Sequence, residues 1–159
     1  MKKRAWMELW SAKKDACVEG AACDLDRALS LVRDLDNVDR SRCLTFAQQR
    51  DEDEGTQVPD HDRVGFSLSF GAKVSSNQGH SKCCMEVDLV RPSGYNILLT
   101  VPRFFLGLIP RPFDSFAQYE TVEAAASREQ LTIVIRAFYE RPDKDLLQWS
   151  GTQPHLQSI

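Results

Sequence analysis

No apolar run in this 159-residue chain approaches the roughly 20 residues needed to cross a bilayer. The longest, around Phe104 to Ile109, falls far short. Met1-Lys2-Lys3-Arg4 has the basic opening of a secretory leader, but Glu8, Lys13, Lys14 and Asp15 interrupt the apolar stretch that such a leader requires. Export and membrane insertion are therefore not expected, and the chain is placed in the cytoplasm. No phosphate-cradling glycine loop, paired metal-ligand spacing or nucleophile motif is present, so the functions those motifs mark have no support here. A basic excess is missing too: 23 acidic against 20 basic side chains give a net charge of −3, which offers no general attraction for a phosphate backbone. Nucleic acid is not an expected partner.

What is present is ample material for one core. With 42% hydrophobic and 27% charged residues the composition is that of a globular chain, and its length fits a single domain. The domain is read as residues 1–151, followed by a polar tail at 152–159. The five cysteines, Cys17, Cys23, Cys43, Cys83 and Cys84, form an odd set without a regular framework and are expected to be buried thiols rather than disulfides.

Alternation dominates the middle of the chain. Phe66, Leu68, Phe70, Ala72 and Val74 alternate with smaller or polar residues, as do Met85, Val87 and Leu89. Ile97, Leu99 and Val101 follow after the Pro92-Ser93-Gly94 turn, so three antiparallel strands with one wet face are expected. Cys43 to Gln49 is a shorter strand candidate. Helical spacing is read over Lys3 to Glu19, through Trp6, Leu9, Trp10, Lys13 and Cys17, with Gly20 as its stop. A second helix starts near Ala22 to Asp24 and carries a stripe of Leu25, Ala28, Leu29, Val32 and Leu35. Phe104 to Phe113, broken by Gly107, Pro110 and Pro112, reads as a buried irregular crossing. Ser115 to Gln118 has capping-box spacing and opens an expected helix to about Arg128; Leu131, Ile133, Ile135 and Ala137 then alternate as a last strand, and Leu146, Leu147 and Trp149 form a helical turn after Pro142. The predicted fold is α+β: N-terminal helices packed on a mainly antiparallel four- or five-stranded meander sheet, with one further helix before the last strand.

Each chemical candidate has a plainer alternative. His80, Cys83 and Cys84 with His61 supply metal-friendly residue types, but their spacing fits no paired ligand pattern, and neither a metal nor another cofactor is expected. Any cysteine could meet His61, His80 or His155 only through the fold. Cys83 shares the parity of Met85 and Val87 and reads as core; Cys84 falls on the other face. Arg103, Arg111, Arg136 and Arg141 read as scattered surface charge. Phe104, Phe105, Leu106, Leu108 and Ile109 read as core, or else as a patch for homodimer formation.

The remaining signal is electrostatic. Between Asp51 and Asp62 the acids Asp51, Glu52, Asp53, Glu54, Asp60 and Asp62 occur without Lys or Arg, broken by Gly55 and Pro59. Besides serving as a solvated connector, such a loop can steer a basic protein partner. These six residues are the expected partner-binding set, with no catalytic residue assigned. The leading expectation is a non-catalytic binding protein of inhibitor type, such as a bacterial immunity protein neutralising a cationic toxin enzyme. A small Cys/His-dependent hydrolase or ligand-binding domain, and a secretion chaperone or adaptor, are the alternatives.

Overall fold

The computed structural model describes residues 4–10, 18–43, 64–70, 83–102, 104–105, 109–110 and 119–154. One antiparallel sheet organises them. Its strands are β1 (Ala5–Trp10), β2 (Val18–Cys23), β3 (Gly65–Phe70), β4 (Cys83–Leu89), β5 (Tyr95–Pro102) and, past a small pair β6 (Phe104–Phe105) and β7 (Ile109–Pro110), β8 (Tyr119–Ala126), in the order β2-β1-β3-β4-β5-β8. Helix α1 (Leu25–Asp36) follows β2, and α2 (Arg128–Glu140) and α3 (Asp143–Gly151) follow β8. Among the described residues, no helix is long and apolar enough to cross a membrane.

Pleat parity sorts the strand residues into two faces. Met7, Leu68, Met85, Leu99 and Val122 form one cross-sheet row, and Leu9, Phe66, Val87, Ile97 and Ala124 form the next. These rows meet the helices in a single core with Leu31, Val32, Leu131, Val134, Ile135, Phe138 and Leu146. An aromatic cluster closes it, with Phe70 and Phe138 centroids 4.7 Å apart and Tyr139 edge-on to Phe70 at 5.1 Å. The Tyr139 hydroxyl donates to the Cys23 carbonyl at 2.8 Å and so ties α2 to the end of β2.

The class and the central meander agree with the sequence pattern, while several elements differ. The expected helix over Lys3 to Glu19 contains strand β1, and Gly20 lies within β2 rather than stopping a helix. The helical spacing of Trp6, Leu9 and Trp10 masks a second period: Ala5 and Met7 are buried and Leu9 packs on the core, alternating with Trp6 and Glu8. The sheet therefore has six strands rather than four or five. The second expected helix is present as α1, capped by Asp24, whose side chain accepts from the Arg27 N–H.

The C-terminal expectation is reversed: β8 occupies Tyr119–Ala126, where a helix is predicted, and α2 occupies the predicted last strand. Ser127 and Gln130 form a complete capping box that starts α2, and Leu131, Val134, Ile135 and Phe138 then reach the core at helical spacing. The alternation of Leu131, Ile133, Ile135 and Ala137 is incidental, since Ile133 is 47% exposed. Cys43 is the buried cap of a short 3-10 turn (Arg40–Arg42), and the rest of the expected Cys43 to Gln49 strand lies outside the described residues. So do Ala72 and Val74, Ser115 to Gln118 and the last five residues of the tail. The expected turn after Pro142 is a full helix, α3.

Replacing fully buried Phe138 with alanine should destabilise the fold by about 3–5 kcal/mol, read as a lower urea midpoint with an unchanged slope.

Candidate functional site

The six acidic residues singled out from the sequence, Asp51, Glu52, Asp53, Glu54, Asp60 and Asp62, lie outside the described residues, as do His61, His80, His155, Cys17, Arg103 and Arg111. The charge pattern that the structure does display is on the sheet. None of the six strands contains Lys, Arg or His, yet they hold Glu8, Glu19, Glu86, Asp88, Glu120 and Glu123. Register places Glu8, Ser67, Glu86, Leu98 and Glu123 in one row across the face away from the helices. Glu19 is the register partner of Glu8.

Asp88, Asn96 and Ala125 follow in the adjoining row. Asp88 is 2% exposed and Asn96 1%. Asn96 Nδ2 donates to Glu123 Oε1 at 2.9 Å, which fixes the amide orientation, because the flipped group would set its oxygen against the carboxylate. Its Oδ1 is then buried without a hydrogen-bond partner. Cys84 sits half-buried on this same outer face while Cys83 is buried in the core, as their parity predicts. Among the described residues, no group of His, Cys, Asp and Glu is arranged to hold a metal ion.

A second cluster gathers at the turn between β4 and β5. Arg40 Nη1 donates to the carbonyls of Gly94 at 2.8 Å and Val90 at 3.2 Å, and its guanidinium lies over the Tyr95 ring. The Tyr95 hydroxyl donates to Asp36 Oδ1. Asp36 also meets Arg40 at 3.6 Å and Arg128 at 3.1 Å. The 3-10 turn and both long helices are thereby pinned to one end of the sheet. Gly94 makes the turn possible: its φ of +111° disfavours any side chain, and a Cβ there would lie 3.4 Å from the Ala126 carbonyl. Between this turn and the start of α2 lies a groove of about 300 Å³, walled by Val90, Gly94, Tyr95, Ala125, Ala126 and Gln130.

The contacts of this cluster tie the helices and the turn to the sheet. Burial, reinforced by the hydrogen bond to Asp36, pushes the Tyr95 phenol up to about 12. Burial also raises the Cys23 and Cys43 thiols above their ordinary range, opposite to what a nucleophile needs. The i,i+4 spacing of Asp36 and Arg40 was the one sign of the cluster available in the sequence. Its closure through Tyr95 and Arg128 depends on the fold.

The raised phenol favours the folded state fully below pH 10, and that contribution is lost as pH climbs through about 12. Tyr95→Phe should therefore lower stability at neutral pH by about 1–2 kcal/mol and flatten its decline between pH 10 and 12, as measured by urea unfolding across pH. Iodoacetamide at neutral pH followed by peptide mapping should leave Cys23, Cys43 and Cys83 unmodified until denaturant is added. No protein-family model, curated protein or solved structure matches the chain.

Proposed function

We propose that this chain is a non-catalytic binding protein of inhibitor type, whose acidic surface holds a basic protein; a bacterial immunity protein neutralising a cationic toxin enzyme is the concrete example. The observation that carries the reading is the charge make-up of the sheet: six strands without a Lys, Arg or His, and an outer row with Glu8, Glu86 and Glu123. Strand side chains of a single sign of charge among the described residues favour cationic partners and raise their encounter rate. The acid-rich 51–62 segment adds charge of the same sign. Two of the thiols that the hydrolase alternative would need are driven away from the thiolate by burial, which counts against Cys23 and Cys43 as nucleophiles.

The test is calorimetric titration of the purified chain against a panel of basic bacterial nuclease toxins, with toxin activity assayed alongside. One of them should bind and lose activity. Glu8→Gln combined with Glu123→Gln should weaken that complex about tenfold, roughly 1.4 kcal/mol, and added salt should weaken it further. A variant neutralised at Asp51, Glu52, Asp53, Glu54, Asp60 and Asp62 should lose affinity as well. Affinity indifferent to salt and to both sets of substitutions would reject the reading.

A further inference from the structure

The two edges of the sheet are unequal. β2 has six residues, includes Gly20, and meets β1 through a register shift between Met7 and Glu8, a bulge of the kind that twists an edge away from further pairing. β8 runs eight residues in unbroken register with β5, from Tyr95 opposite Ala126 to Pro102 opposite Tyr119. It contains no proline, lysine or bulge, the usual protections of an exposed edge. Among the described residues no strand pairs with its far side, where every second residue of an antiparallel edge turns its N–H and C=O outward.

Charge selects what would pair there. The row Glu8, Ser67, Glu86, Leu98, Glu123 ends at β8, so a strand added to that edge places its own residue at the next position of the row. A cation at that position faces Glu123 directly. A second copy of this chain paired through β8 would instead offer that position a strand without Lys, Arg or His.

We propose that β8 is the docking edge for the basic partner: an extended segment of that protein, with Lys or Arg at alternate positions, adds to β8 as a further antiparallel strand. This rests on the reading of the chain as a binding protein for a cationic protein. It goes further by assigning the recognition mode, main-chain pairing at one edge with side-chain charge setting the choice.

Hydrogen exchange of the full chain tests it, with three capped eight-residue peptides in excess: alternating Lys-Val, alternating Glu-Val, and Lys-Val N-methylated at alternate amides. The Lys-Val peptide should slow exchange of the Val122 to Ala126 amides by about tenfold, and the other two should not. Ala125→Lys, at an exposed position on that edge, should abolish the slowing, while Ile133→Lys on the exposed side of α2 should leave it intact. The proposal is overturned by no slowing in β8, by equal slowing with all three peptides, by protection of β2 instead, or by a free chain already dimeric through β8. If the Lys-Val peptide fails while a basic toxin is still bound in a salt-dependent way, the edge assignment alone falls. If the peptide docks and no basic protein of the panel binds, the inhibitor reading falls and the edge remains.

Discussion

One-sided burial governs this molecule. The three helices among the described residues pack on one face of the six-stranded sheet, over the rows centred on Leu68, Met85 and Leu99, and on Phe66, Val87 and Ile97. A sheet face in contact with an apolar layer tolerates almost no charge, since an unpaired ion there would cost several kcal/mol. Glu8, Glu86, Asp88 and Glu123 accordingly fall on the opposite side, where the pleat delivers Glu8, Glu86 and Glu123 to a common row, while Glu120 at the end of β8 is the register partner of buried Val101. The placement of these carboxylates thus follows from the packing of the core.

The same layering explains the knot of polar contacts at the β4–β5 turn. Helices on one face need lateral fixing as well as burial, and Arg40 provides it by holding the Val90 and Gly94 carbonyls while lying over Tyr95. Carbonyls that leave a strand ladder at a turn need donors, and a guanidinium supplies several in one plane. At the opposite margin the Tyr139 bond to the Cys23 carbonyl does the corresponding work for β2. The sheet is secured near both ends by side chains reaching a backbone oxygen.

The middle of the chain was legible from its sequence because Phe66 to Phe70 and Met85 to Val101 carry the two-residue period without a competing one. Residues 5–10 carry both periods, and Trp6, which with Trp10 imitates a helical stripe, lies on the face away from the core by its register with Ser69. The exchange of β8 with α2 has a related origin: Ala124 and Ala126 are too weakly apolar to announce a strand, although Ser127 with Gln130 announces a helix start. The acidic row was hidden for the same reason, since Glu8 and Glu123 share a face only once both of their segments are strands. The Asp36, Tyr95 and Arg128 contacts join distant parts of the chain, and no local pattern encodes such a meeting.

Asp36 closes α1 and Arg128 opens α2, so each terminal residue bears the sign of charge that its own helix macrodipole disfavours. Alone, either helix would be a few tenths of a kcal/mol better off with the opposite charge. Brought to 3.1 Å, the two misfits answer one another. The pair therefore acts as a matching key between segments remote in sequence: Asp36 is met locally by Arg40 as well, whereas the N-terminus of α2 receives this carboxylate by docking beside α1, and a fragment holding α2 without α1 lacks it.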